Sequence, residues 1–382
     1  MLRTAQLLEM HRQDAGGDFA EGSRRTREDV KTFLRSGKIE AKDLSIREMF
    51  DTFVVAKHPH LAGDLRNAQP EALAEAMTAS DFPYATSELI HSVVIPAYNY
   101  EMESAMSLVT EVTSNNEIED IVGFGSVDRL EVVLPNQPYP ETRIDEKRVR
   151  IQNYKLGHKL PLTREAVVFD KTGELVSRAS RIGVKAGQQM HEYILTRCMD
   201  IASTLTGQAA NTSLNINGTA RAMYADTHAA WDTVANDNVS ASSALGTSGL
   251  ESATALLMQM QDKKGDYVSV NPNTILVGPS NWAVATRLMV DTTQPDTANR
   301  AGNIFQGRYN VIVTPFISAA TDWYIGDFAS QMRLQRVWGP EITVIGNSSQ
   351  LAFDRDVVSQ YKFSDFVGVG ATDYRFAVKC TA

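Results

Sequence analysis

Cysteine is scarce in this chain: Cys198 and Cys380 are the 2 among 382 residues. Such a pair encodes no disulfide framework and no zinc ribbon, and a reducing compartment is its simplest setting. An excess of basic charge is missing too. Lys and Arg number 37 against 46 Asp and Glu, a formal net charge of -9, which argues against a dedicated nucleic-acid binder. No run approaches the ~18 apolar residues of a membrane span. Met1 to Gln6 lacks a basic start followed by an apolar block, so no secretory signal is expected. Catalytic signatures are also wanting: there is no nucleophile elbow and no Walker-type phosphate loop. Gly123-Phe124-Gly125 and Gly368-Val369-Gly370 lack the context and third glycine of a dinucleotide loop, so both read as turns or bulges. His58-Pro59-His60 has no Cys or carboxylate at metal-ligand spacing and reads as a surface turn. No catalytic residue, metal or cofactor is expected.

What is present is an ordinary globular balance, 43% apolar and 22% charged, long enough for two or three packed units. Residues 1 to about 50 are dense in charge of both signs, as in Arg24-Arg25-Thr26-Arg27-Glu28-Asp29. Few large apolar residues interrupt them, so a partly helical arm is expected, solvated or lying across a neighbour's surface. Helical pattern follows from Ser45 to Met77, broken at Pro59 and Pro70, and again from Thr86 to Leu108, with a kink or split expected at Pro96. Pro83 should break the chain between these stretches.

Between residues 119 and 156 the character changes. Val132-Val133-Leu134 is a β-prone run, and Val149 and Ile151 alternate with Arg148, Arg150 and Gln152, the period of a strand with one polar face. Between them Pro135, Pro138 and Pro140 mark a loop tip. A two-stranded arm is marginal alone, so this one is expected to lean on something outside its own domain. From Thr172 to about Ala202, Leu175, Ala179, Ile182, Ala186, Met190, Tyr193, Ile194, Cys198 and Ile201 recur on one helical face. Cys198 there reads as a small core residue, and His191 beside it as a hydrogen-bonded helix residue. Gly183 and Gly187 each cost about 1 kcal/mol in that helix, which implies a close neighbour or a bend.

Residues 203 to 248 read as a loop-rich connection with a tight turn at Asn217-Gly218. Ser248 to Glu251 matches a capping box for a helix ended by Gly265, and Ser280 is a plausible cap for a helix from Trp282 to Val290. Strands are expected at Thr274 to Val277, Asn310 to Val313, Asp322 to Phe328, Ile342 to Ile345, Tyr361 to Phe366 and Tyr374 to Lys379. The chain is therefore α+β, with a long central helix and a hairpin arm. An absent active site and an arm that neighbours must complete favour a structural protein.

The run Tyr154 to Ala166, then Asp170 and the long helix with Gly183-Val184-Lys185-Ala186-Gly187, resembles the major capsid proteins of tailed bacteriophages. Ser248 to Met258, Pro272 to Val277 and Asp322 to Ile325 are similar to that family's axial domain. The resemblance covers about residues 80 to 382 and rests on element order and loose motifs. It implies an N-terminal arm or helical segment (1–80), the start of a peripheral domain (81–125), an extended hairpin loop (126–156) and a peripheral domain with spine helix 172–202 (157–247). An axial domain (248–340) and closing strands (341–382) would complete the chain.

The resemblance further implies self-assembly into hexamers and pentamers that close an icosahedral shell around double-stranded DNA, held by weak non-specific contact. A scaffolding protein and a portal would be further partners, with assembly in the bacterial host cytoplasm and residence in the virion. No membrane is involved. Tyr139, Arg143, Asp145, Glu146, Lys147, Arg148 and Arg150 on the hairpin, with Arg24, Arg25 and Arg27, are the inter-subunit contact candidates. Each exposed ion pair contributes only about 0–1 kcal/mol, but repetition would make the shell salt-sensitive. Some members join a hairpin lysine to a neighbour's asparagine. Lys147, Lys155 and Asn347 are present without a visible catalytic acid, so non-covalent closure is expected. The competing readings are an encapsulin-like nanocompartment shell, told apart by its lumen content, and an α+β enzyme with an unrecognised site.

Overall fold

The computed structural model describes residues 4–39, 44, 49–55, 82–127, 130, 132–139, 141, 144–163, 165, 174–201, 214–228, 234–241, 243–292, 302–317, 319–346 and 357–381. These fall into two compact units: Met1–Met102 with Lys155–Gln188 and Trp338–Phe366, and Glu103–Tyr154 with Gln189–Val337 and Val367–Ala382.

The first unit opens with two helices, α1 (Thr4–Asp14) and α2 (Phe19–Arg35). The Asp18 carboxylate caps α2 by accepting from the Ala20 N–H at 3.0 Å. Gly37, at φ +69, ends it, and the Lys38 N–H reaches back to the Phe33 carbonyl at 3.0 Å, the closure of a Schellman motif. At Gly22 the helices approach so closely that a Cβ would stand 3.0 Å from the Arg12 backbone. Leu7, Leu8, Val30 and Leu34 are buried, and Met49, Phe50, Phe53 and Val54 are fully so. Phe50 meets Phe82 edge-on, with centroids 5.9 Å apart. The segment is thus packed rather than a solvated arm. Its apolar residues are few, but they sit at helical spacing and pool in one place.

Helix α3 (Phe82–Met106) starts where a break was expected. Pro83 falls in the first turn, where a missing N–H costs nothing, and Pro96 lies inside the same continuous helix. The spine helix α4 (Glu174–Cys198) lies close to the expected bounds. A Cβ at Gly187 would stand 2.7 Å from the Tyr98 carbonyl, and one at Gly183 would collide with the Val94 carbonyl. The glycine pair therefore exists because α3 packs there. Past α4, Asp200 adopts φ 54, and the Ile201 N–H bonds the Thr196 carbonyl at 2.9 Å, a second Schellman closure.

Two long strands, β11 (Met332–Gly346) and β12 (Val357–Ala371), stand between β1 (Thr110–Thr113) and β4 (Tyr154–Thr163) in the order β1-β11-β12-β4. Gly368 and Gly370 lie inside β12 rather than in turns. A Cβ at Gly368 would stand 2.6 Å from the Gln152 carbonyl, so close backbone approach explains that glycine.

The second unit holds a five-stranded sheet in the order β7 (Val239–Ser240), β13 (Ala377–Cys380), β10 (Trp323–Gly326), β8 (Thr274–Val277), β9 (Asn310–Val313). Its core joins Trp323, Ile325, Ile275, Val277 and Val378 to Leu250, Ala253 and Leu257 of α5 (Thr247–Met258) and to Ala285 and Leu288 of α6 (Trp282–Val290). Two expected caps are absent. Gly246, not Ser248, holds the cap position of α5 and offers no side chain, because the helix has already begun at Thr247. Ser280 lies within a 3-10 turn, Pro279–Asn281, that runs into α6. The helix before Gly265 ends earlier, at Met258, and Gly265 (φ +83) serves a later turn. The last strand starts only at Ala377, because Asp373 to Phe376 form a turn.

Candidate assembly surface

A second sheet of this unit carries the hairpin. Strands β2 (Ile118–Val127) and β3 (Ile144–Gln152) pair antiparallel, followed by β5 (Leu214–Ile216) and β6 (Thr219–Arg221). Asn217 (φ 51) and Gly218 (φ 82) form the tight turn between β5 and β6, both central residues being left-handed as a type I′ turn requires. The register of β2 and β3 shifts between Phe124 and Ser126, a bulge at the Gly123-Phe124-Gly125 run. The first hairpin strand thus lies upstream of Val132-Val133-Leu134, which are outside any strand.

The alternation along β3 has the expected faces. Val149 and Ile151 are buried, while Arg148, Arg150 and Gln152 are exposed. Opposite them on β2, Ile118 and Val122 are also exposed. Arg150 stands directly across from Asp120 and grips it with a fork, Nε to Oδ1 at 2.8 Å and Nη2 to Oδ2 at 3.0 Å. That bond holds the Asp120 carboxyl below its ordinary pKa.

Midway along the hairpin, opposite Gly123, β3 is tied by charge. Lys147 Nζ lies 3.4 Å from Asp373 Oδ2, and Arg375 Nη2 donates to the same oxygen at 2.6 Å. Burial pushes the Asp373 carboxyl up, but Lys147 first and Arg375 next overcome it and bring it down to about 2. Nearby, the fully buried Asn238 accepts from the Ala225 N–H at 2.9 Å and donates to the Met223 carbonyl at 2.7 Å. Asn236 donates to the Tyr374 hydroxyl at 2.8 Å. These side chains fix the turn that carries Asp373.

The loop between β2 and β3 has the opposite chemistry. Leu130 is 100% exposed, Val132 91%, Leu134 59% and Tyr139 86%. Pro135 and Asn136 (φ 71) make a turn closed by the Gln137 N–H on the Leu134 carbonyl at 3.1 Å, the pattern of a type II turn.

The expected contact residues therefore separate. Arg24 and Arg25 both reach Glu21, each at 3.0 Å, and the Arg27 guanidinium lies 5.6 Å from the Tyr84 ring centroid. Lys147 and Arg150 are held within the chain, whereas Arg148 and Tyr139 face solvent. Arg143 and the side chains of Asp145 and Glu146 lie outside the described residues, as do His58, His60 and Asn347. Lys155 Nζ sits 5.7 Å from the Trp338 ring centroid. Sequence reasoning missed the exposure of Leu130, Val132 and Leu134, although the three prolines beside them were its signal. The Asp373 anchor had none.

Chemistry of the catalytic kind has little footing among the described residues. Burial pushes the Cys198 thiol far up and that of Cys380 to about 12, so neither is a ready nucleophile. No group of three or more His, Cys, Asp or Glu there is placed to hold a metal. A cavity lined by Ile90, Val94, His158, Leu160, Ala179, Ile182 and others in the first unit has about 10 Å³, room for one water. His191 Nδ1 lies 3.4 Å from the Ser104 hydroxyl. No described helix is long and apolar enough to cross a membrane.

Comparison with known proteins adds the following. The profile of a family described as phage capsid protein matches residues 146–380. No curated protein matches. Among solved structures, the capsid of a native GTA particle, computed with C5 symmetry, is 13% identical over 73% of this chain and 90% of that one, with a TM-score of 0.50. A Mycobacterium phage Cain structure is 12% identical over 73% and 89%, at 0.44. The capsid of cyanophage P-SCSP1u is 11% identical over 72% and 87%, at 0.45.

Proposed function

The chain belongs to the phage capsid protein family, and from that premise we propose how its copies meet. It is a major capsid protein, a structural component of the virion shell and not an enzyme. In the proposed assembly, copies form hexamers and pentamers that close an icosahedral shell, and the β2–β3 hairpin of each lies over the next. Tyr139 and Arg148 are the first contact residues. Asp145, Glu146 and Arg143 extend the contact along the hairpin, and Arg24, Arg25 and Arg27 supply a second from the N-terminal helices. Lys147 and Arg150 act by holding the hairpin in shape. A scaffolding protein and a portal direct closure in the host cytoplasm, and the shell encloses double-stranded DNA without tight binding, as a net charge of -9 favours.

One observation carries this reading: a hairpin tied midway along β3 by a buried ion pair carries exposed apolar side chains, Leu130, Val132 and Leu134, that nothing described in its own chain covers. A photo-crosslinking residue in place of Tyr139 tests it in assembled particles. Dimer products that map position 139 to a second copy are expected. Products confined to single chains would contradict it. Absorbance at nucleic-acid wavelengths in the shell fraction then reads the lumen, DNA for a virion and protein for a nanocompartment.

A further inference from the structure

Asn217-Gly218 is the one Asn-Gly step in the 382 residues. The fold uses it as the turn between β5 and β6, and both residues are exposed. Its bonds reach beyond the turn. The Asn217 N–H donates to the Arg148 carbonyl at 2.8 Å, and the Arg148 N–H donates to Asn217 Oδ1 at 3.3 Å. The side-chain amide thus stands in for a backbone carbonyl. It lengthens the β3–β5 ladder, whose register pairs Val149 with Ile216.

The same contacts leave that amide open to attack from its own chain. The Arg148 donor sits on the carbonyl oxygen, where it stabilises the negative charge that a nucleophile places there. The nucleophile is the next backbone nitrogen, held beside its target by the chain itself, so closure of a five-membered ring needs no second molecule. Among the described residues the Gly218 N–H donates no backbone hydrogen bond. A Cβ built on Gly218 would meet nothing within 4 Å, so no neighbour blocks the approach. Glycine tolerates either sign of φ, so the peptide between the two residues can rotate and bring its nitrogen toward Asn217 Cγ.

We infer that Asn217 is a site of spontaneous deamidation in the folded chain, with water as the co-reactant, and that the change releases β3 from the β5–β6 hairpin. The Gly218 nitrogen bonds to Asn217 Cγ and the Cγ–Nδ2 bond breaks. Ammonia leaves with the proton that the Gly218 nitrogen gives up. Water then opens the succinimide at one carbonyl or the other, which leaves aspartate or isoaspartate at position 217. Isoaspartate carries the backbone through the former side chain and so adds a methylene to a turn whose length sets the register of its strands. The Arg148 N–H then loses its aligned acceptor, and either product adds a negative charge beside it. The chemistry stands apart from the capsid reading. Its bearing on assembly rests on that reading, through the place of Arg148 among the proposed contacts.

The test keeps the purified full chain warm at mildly acid and mildly alkaline pH, with one portion unfolded in urea. Peptide mapping by mass spectrometry follows every asparagine, and hydroxylamine traps the succinimide. The peptide that spans 217 and 218 is expected to gain the mass of an Asn-to-Asp conversion ahead of all others. Alkali should speed it, because the attacking nitrogen must shed its proton. Asn217→Gln, whose longer side chain closes a less favoured ring, should abolish the change at this peptide. Aged chains, separated by their added charge, should keep the far-UV spectrum and exchange the backbone hydrogens of β3 faster than fresh chains. Conversion at 217 in urea alone would mean that the turn shields the carbonyl, and would overturn the assignment. Faster conversion at Asn347, which a small Ser follows, would overturn it too. Aged chains whose β3 hydrogens exchange as in fresh ones would refute the release. Particle formation by fresh chains is read separately, so failure of the capsid reading and failure of this chemistry remain distinct.

Discussion

Asp373 is buried, and two cations decide its charge. Its carboxyl, at about 2 against an ordinary 3.8, is ionised in the folded chain well below the pH at which it would protonate unfolded. A depressed folded pKa means the stabilisation is complete above about pH 4 and is lost as pH falls toward 2. A difference of nearly two pH units corresponds to about 2 kcal/mol at ~1.36 per unit. Asp373→Asn is therefore expected to lower thermal stability at pH 7 and to flatten its fall between pH 4 and 2, read by melts across that range. A variant that melts with the wild-type pH profile would deny Asp373 this role. Gly183 gives a sharper contrast of sign. Helix propensity alone makes Gly183→Ala stabilising by about 1 kcal/mol. The collision with the Val94 carbonyl makes it destabilising, by ~1–3 kcal/mol for an overpacked site. A lowered melting midpoint is expected, and a raised one would show that α3 can retreat. The glycine pair was legible in the sequence because a costly residue repeated one turn apart needs a cause. Asp373 was not, because its partner Lys147 is remote in sequence and no local pattern connects them.

At the scale of elements, periodicity located what was long and regular. The spine helix stands at Glu174–Cys198 against an expected 172–202, and β8 and β9 have the expected bounds. It failed where β propensity and pairing disagreed. Val132, Val133 and Leu134 have strand-forming side chains, but the prolines that follow leave them in the loop, and β3 pairs instead with Ile118–Val127. It failed again at helix starts, where the backbone began one residue before the expected Ser cap. The division between tied hairpin strands and an exposed loop yields a prediction at this scale. Replacing residues 128–141 with a short Gly-Ser turn should leave the far-UV spectrum and melting midpoint of the chain close to wild type. Particles should disappear at concentrations where the wild type assembles. A large drop in the midpoint would mean that the loop supports the fold, contrary to the exposure of Leu130 and Tyr139. The turn between β5 and β6 is a separate check. Gly218→Val places a branched residue at φ 82 and should cost about 1–2 kcal/mol in a denaturant titration.

For the molecule as a whole, the α+β class and the order of hairpin, spine helix and closing strands were legible in the sequence. The described elements follow that order. The N-terminal helices were not legible as a packed body. Their apolar residues are too sparse for composition to register and become a core only when α1, α2 and the Met49–Val55 segment pool them. Charge was read from composition alone, as a formal net charge of -9. Self-assembly into a shell is the central claim, and sedimentation velocity of the purified full chain, with negative-stain images of each boundary, tests it most directly. Five- and six-membered rings or closed shells that grow at the expense of free chains as concentration rises are the expected result. A single species of monomer or dimer at every concentration, unchanged when the scaffolding protein from its own genome is added, would contradict it.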